Sequence, residues 1–150
     1  MSVTADQFHG DPDDSTAPPT AGVVELTVAV ESDLLVLARL AASTVAARSS
    51  FDIEEIEDLR LAVDELCLSV LQGRRVGRLR LRFDGTPDEI EVWCRYDGGD
   101  EPADDGFGAD EDTDGLSGRI LDALVDEHGP VFGDGWHGSR LCKRRVARDG

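Results

Sequence analysis

The first regular rhythm of apolar and polar positions begins at Val23. Val24, Leu26, Val28 and Val30 alternate with Glu25, Thr27 and Ala29, the period of a strand with one face buried. Ser32 can then cap a helix through Leu34, Leu37, Leu40, Ala41, Thr44 and Val45, spaced by threes and fours. A second helix opens at Asp52, with Glu55 three residues on in capping-box position. Its apolar stripe, Ile53, Ile56, Leu59, Ala62, Val63, Leu66, Cys67, Val70 and Leu71, is the strongest periodic signal in the chain. Gly73 and Gly77 bracket a short basic connection.

Alternation resumes at once. Leu79, Leu81 and Phe83 share one face of a strand and Arg78, Arg80 and Arg82 the other. Asp84-Gly85 with Pro87 marks a turn, and Ile90, Val92, Cys94 and Tyr96 continue as a partner strand. Residues 97–114 are rich in glycine and acid and have the length of a functional or disordered loop. A third helix, predicted over 116–127, presents Ile120, Leu121, Leu124 and Val125 and stops at Gly129-Pro130. A last strand runs from Gly138 to Val146 and ends on basic residues.

The predicted order is therefore β-α-α-β-β-loop-α-β. Two adjacent helices before a hairpin argue against a purely parallel doubly wound sheet. The expectation is an α+β, two-layer sandwich with helices on one face of a mixed β-sheet, the arginines of 78–83 lying on the open face. One domain over 23–146 is expected, between a disordered acidic tail at 1–22 and a short C-terminal tail at 147–150.

Charge sharpens this picture. The net charge is −17, but it is unevenly placed. Residues 1–22 hold Asp6, Asp11, Asp13 and Asp14 without Lys or Arg, and 97–118 hold nine carboxylates, again without a base. The rest of the chain is nearly balanced, with Lys143-Arg144-Arg145 offsetting the acid loop. Such a surface repels phosphates, so direct nucleic-acid binding is not expected. The acid loop lacks the alternation and final Glu of a calcium loop. No stretch approaches the roughly 20 apolar residues of a spanning helix, and 1–22 has no basic or apolar region of a signal peptide. A cytoplasmic protein without membrane contact is expected. Cys67, Cys94 and Cys142 lie far apart without zinc spacing and read as small buried hydrophobes.

The run Leu59-Arg60-Leu61-Ala62-Val63-Asp64-Glu65-Leu66-Cys67-Leu68-Ser69-Val70 resembles the N-box helix of anti-sigma regulatory factors of the serine/threonine-kinase type. These bacterial stress-response regulators are built on the histidine-kinase-like (GHKL) ATPase fold. The similarity continues in order through a hairpin, an aspartate-glycine element, a loop, a Gly-Leu helix ending Leu-Val-Asp-Glu and a strand beginning Gly-Ser-Arg-Leu, covering about 23–146. The resemblance implies ATP and Mg²⁺ as cofactors and two protein partners, a sigma factor and a STAS-type anti-anti-sigma factor. It leaves homodimerisation open. It places Glu65 as general base for phosphate transfer to a partner serine, Ser69 at the Mg²⁺-ligand position, Asp97 and Gly99 as the adenine element, and Gly115 at the start of the second glycine box.

The departures from that pattern are chemical. Ser69 replaces an asparagine, and a hydroxyl is a shorter, neutral oxygen ligand. Glu101 and Ser117 stand where glycine permits close backbone approach, and the carboxylates of the lid repel a triphosphate. The expected function is an anti-sigma factor that sequesters a sigma factor, its ATP site degenerate and its Mg-ATP binding weak or lost. The alternatives are an active ATP-dependent serine kinase acting on an anti-anti-sigma factor, and an acidic α+β adaptor without nucleotide.

Overall fold

The computed structural model describes residues 22–98, 111–133 and 136–146, the side chains of 111–114 excepted. The disordered arm expected over 1–22, apart from Gly22, and residues 99–110 of the loop expected over 97–114 lie outside the described residues. So does the tail at 147–150.

Five strands and three helices are present. They are β1 (Val23–Ala29), α1 (Val36–Arg48), α2 (Ile53–Leu71), β2 (Arg78–Gly85), β3 (Glu89–Asp97), α3 (Glu111–Leu124), β4 (Glu127–Gly133) and β5 (Trp136–Arg144). The sheet order is β1-β2-β3-β5-β4. Every neighbouring pair is antiparallel, which corrects the expectation of a mixed sheet. The reason lies in the connections. Two hairpins join β2 to β3 and β4 to β5. Two helices, rather than one, return the chain from β1 to β2, and a helix plus a strand return it from β3 to β5. Each route reverses direction, whereas a single crossover helix makes parallel neighbours.

The extra strand, β4, was read as helix end and turn because of Gly129-Pro130. Proline costs an edge strand little, since it removes a donor that has no neighbour on its outer side, and β4 is an edge. The third helix is shifted accordingly. It ends at Leu124 and begins at Glu111, inside the segment read as loop; an acidic run suits the positive end of a helix dipole.

α2 is built as its sequence dictates. Asp52 Oδ1 accepts from the Glu55 amide at 2.8 Å, and Glu55 Oε1 accepts from the Asp52 amide at 3.1 Å. Glu55 is only 7% exposed because its second oxygen accepts the Val146 amide at 3.0 Å. This one carboxylate therefore ties the helix start to the chain beyond β5. Leu59, Ala62, Val63, Leu66, Cys67, Val70 and Leu71 are buried. They share a core with Leu79, Leu81 and Phe83 of β2, Ile90, Val92 and Cys94 of β3, and Leu141 of β5. Ile53, expected on the stripe, is 80% exposed.

α1 departs further from its expected face. Ser32 does not cap it; the helix starts four residues later, after Leu35, without a side-chain cap. Leu37 and Leu40 are exposed, and the buried residues are Ala38, Ala42, Val45 and Ala46. Close packing selects the small side chains. The backbone of Gly85 on β2 comes so near that a Cβ there would stand 2.7 Å from Val45 Cγ1.

Candidate functional site

α3 packs along α2 on the helical face of the sheet, and the two helices bring together Glu65, Ser69 and Ser117. Ser117 lies in the second turn of α3 and is 9% exposed. Its Oγ donates to Glu65 Oε2 at 3.0 Å. Ser69, one turn beyond Glu65, turns its hydroxyl onto its own helix and donates to the Leu66 carbonyl at 2.8 Å. Gly115, two residues before Ser117, is exposed, and a Cβ added to it would meet nothing within 4 Å. No close backbone approach among the described residues depends on that glycine.

Asp97 is not part of this group. Along β3, Ile90, Val92, Cys94 and Tyr96 are buried against the helices, so the alternation sends Glu91, Trp93, Arg95 and Asp97 to the other face. Asp97 stands opposite Arg78 of β2. With Ala29, Gly77, Arg78 and Gly98 it lines a shallow cleft of about 520 Å³ at the end of the sheet. Gly99, the second residue of the expected adenine element, lies outside the described residues.

The helical side of this strand end is filled by the protein's own groups. The Tyr96 hydroxyl donates to the Val76 carbonyl, and the Arg74 guanidinium lies 4.7 Å from the centre of its ring. Gly77 passes the ring at φ +116°, where a Cβ would come 2.6 Å from the Tyr96 oxygen; this position requires glycine. Arg74 also meets His137 Nε2 of β5 at 3.4 Å. Burial, and then the charge of Arg74, hold the His137 pKa below the usual 6.5.

Beside Glu65, burial raises the Asp64 carboxyl above its usual 3.8; Arg39 opposes this and Glu65 adds to it. Arg39 Nε and Asp64 Oδ1 are 3.1 Å apart and link α1 to α2. At the other end of α3, Lys143 is 7% exposed and donates to the Leu124 carbonyl at 2.8 Å. A cation there complements the negative end of the helix dipole.

Two groupings bear on metal binding. Around Glu65 the described ligand atoms are those of one carboxylate, already accepting a hydrogen bond from Ser117, and the hydroxyls of Ser69 and Ser117. Magnesium favours charged or carbonyl oxygens in octahedral array. This set does not fit a magnesium–triphosphate group unless the Ser117 bond opens. On the opposite face of the sheet, donor atoms of Glu89, Glu91 and Cys142 lie within 4.8 Å of one another. They satisfy each other and their neighbours: Cys142 Sγ donates to Glu89 Oε1 at 2.8 Å, and Arg140 donates to Glu91 at 3.2 Å. Burial, then Glu89, push the Cys142 thiol up to about 12, away from the thiolate that a metal binds.

Sequence reading marked Ser117 as a departure from pattern but missed its contact. Positions 65 and 117 are joined only by tertiary packing, and no local periodicity records it. Among the described residues, no helix is long and apolar enough to cross a membrane.

No protein-family model matches the chain. Curated proteins do. Serine-protein kinase RsbW of Bacillus subtilis (strain 168) is 29% identical over 111 residues, covering 71% of this chain and 66% of that protein. The protein of the same name from Bacillus velezensis is 32% identical over 73 residues, 46% of each chain. That from Bacillus pumilus is 33% identical over 73 residues, 49% of this chain and 42% of its own. The chain thus spans less than two thirds of the length of these relatives. This similarity agrees with the resemblance read from residues 59–70 and from the order of elements.

Proposed function

We propose that the chain is a cytoplasmic anti-sigma factor that binds and sequesters a sigma factor and answers to an anti-anti-sigma partner, with a degenerate ATP site. The observation that carries this reading is the Ser117–Glu65 hydrogen bond. A general base must offer a lone pair to the hydroxyl that it deprotonates. Here one oxygen of the best-placed carboxylate holds a hydroxyl of its own chain. Ser69 supports the same reading, because its hydroxyl is turned into the helix backbone. So does Asp97, which lies across the sheet from Glu65. The domain over 23–146 holds the partner surfaces, and nucleotide adds little.

The second reading, an active serine kinase, is favoured by the similarity to proteins named as serine-protein kinases. One pair of measurements separates the two. Purified protein is titrated with Mg-ATP by calorimetry, then incubated with radiolabelled ATP and the STAS-type proteins of the same genome. Binding to sigma factors is followed in parallel by size-exclusion chromatography. A stable sigma complex with weak ATP binding and no labelled serine is the expected result. Tight ATP binding with rapid labelling of a STAS-type protein would establish the kinase. Absence of any sigma complex would leave the acidic adaptor.

A further inference from the structure

Among the described residues ten large apolar side chains are exposed, and six of them lie on α1 and α2: Val36, Leu37, Leu40, Ile53, Leu61 and Leu68. Their spacing is regular. On α2, Leu61 and Leu68 are seven residues apart, which sets them about 10 Å apart on one line. That line is opposite the stripe from Leu59 to Leu71 that enters the core, and Glu54 continues it one heptad earlier. On α1, Val36 and Leu40 are one turn apart, on the side away from the buried Ala38, Ala42, Val45 and Ala46. Leu40, Leu61 and Leu68 are each more than half exposed. The Arg39–Asp64 contact at 3.1 Å joins the two helices between these rows. A grouped apolar surface of this kind marks an interaction site, and two neighbouring helices leave a groove that accepts a third.

Charge selects the occupant. Residues 31–71 hold nine Asp and Glu against three Arg, a net of −6. Two of those arginines are already held, Arg39 by Asp64 and Arg60 by Glu57 at 2.8 Å. Lys143, 3.8 Å from Asp58, and Arg74 and Arg75 beyond the end of α2 bring the sum only to −3. On the other flank of α2, α3 adds four acids and one arginine. A second copy would set this acidic layer against itself. The segments of the chain outside the described residues are no better suited, since 1–21 hold four acids and 99–110 five, neither with Lys or Arg. Nucleic acid and anionic lipid meet the same repulsion.

We propose that the outer face of α1 and α2 is a docking surface for a basic amphipathic helix of another protein. Its aliphatic side chains would seat on Leu40, Leu61 and Leu68, and its Lys and Arg would face Glu54 and the acids around it. Apolar burial supplies the affinity, while charge selects the partner and speeds encounter. The surface gives the sequestered partner of the proposed function a place to dock, and it rests on that reading only in expecting a protein to be bound. It needs no nucleotide.

The test uses the full chain and a fluorescein-labelled leucine–lysine peptide of about fourteen residues, its leucines at helical spacing. Fluorescence anisotropy is followed at about 20 mM and about 200 mM salt. Saturable binding is expected, weaker by about tenfold in Leu61→Gln and in Leu68→Gln, and weaker at the higher salt. Glutamine is as good a helix former as leucine and both positions are exposed, so melting curves should match wild type. Phe132→Gln, which removes an exposed aromatic ring from β4, should bind as wild type. A leucine–glutamate peptide of the same pattern should not bind. The proposal is overturned if no saturable binding is seen, if Phe132→Gln weakens it as much as Leu61→Gln, or if the glutamate peptide binds as tightly. A wild-type dimer in sedimentation that Leu61→Gln and Leu68→Gln dissociate would give the face to a second copy instead. A sigma complex that forms and is untouched by both variants would keep the proposed function and remove this surface. Peptide binding without any sigma complex would do the reverse.

Discussion

Ser117 Oγ donates a hydrogen bond to Glu65 Oε2 at 3.0 Å, joining α3 to the middle of α2. The bond binds the two helices that flank the candidate site, and it engages the carboxylate on which phosphate transfer would depend. Stability and activity at this point draw on the same oxygen atom.

Ser117→Ala should therefore destabilise the fold while leaving it intact. Removing one partner of a partly buried, charge-assisted bond costs about 1–2 kcal/mol. Urea denaturation followed by circular dichroism measures this as a lower midpoint with an unchanged slope. A midpoint equal to wild type would mean that water replaces Ser117 at no cost and that the bond does not hold α3 in place.

Glu55 should matter more than Ser117. Its two oxygens accept from the Asp52 amide and the Val146 amide, closing the capping box and anchoring the chain beyond β5. Glu55→Ala loses both and leaves two donors to find water, a cost of about 2–4 kcal/mol. Glu55→Gln keeps an acceptor oxygen and should lose less. If alanine and glutamine cost the same, packing rather than hydrogen bonding would explain why this residue is buried.

The pH dependence near neutrality should carry the signature of His137. Burial, then Arg74, depress its folded pKa below 6.5, so the unfolded chain takes up a proton before the folded chain does. Its contribution is fully present above about 6.5 and is lost as pH falls through the lower folded value. Wild-type urea midpoints should fall between pH 7 and pH 5 more steeply than those of His137→Gln. Parallel curves would show that the acidic-side loss belongs to other groups.

Much of the fold was legible in residues with a strong local rule. Asp52 and Glu55 wrote the capping box, the alternation at 78–83 wrote β2, and the stripe at 56–71 wrote the core face of α2. Where two rules competed, reading failed. Gly129-Pro130 signals a helix stop anywhere in a chain, and only the edge position of β4 lets the same pair lie in a strand. Leu37 and Leu40 outrank Ala38 and Ala42 in hydropathy, yet the buried face of α1 is that of Ala38, Ala42, Val45 and Ala46, where Gly85 comes close to Val45. Of the candidate site, the spacing of Glu65 and Ser69 could be read within one helix. That Asp97 falls on the other face from them depends on strand phase relative to the helix layer, which the aspartate-glycine element does not encode.

The last prediction concerns nucleotide. The wild-type protein should bind Mg-ATP weakly, because Glu65 is engaged by Ser117, Ser69 is engaged by Leu66, and Gly115 serves no close approach among the described residues. The first two obstacles can be removed separately. Ser69→Asn supplies a longer amide oxygen, a better magnesium ligand than a back-bonded hydroxyl. Ser117→Ala releases Glu65 without adding bulk. If each change recovers about 1.4 kcal/mol, each raises affinity about tenfold, and the pair about a hundredfold where the two effects add. Calorimetric titration of the four proteins reads this directly. Glu65→Gln, which keeps the size of the side chain but is no base, should remove any phosphate transfer that the double variant gains while leaving its ATP affinity within a few-fold. A wild-type protein that already binds ATP at micromolar concentration, with no gain from either substitution, would show that the Ser117–Glu65 bond opens at negligible cost. The degenerate-site reading would then give way to the kinase.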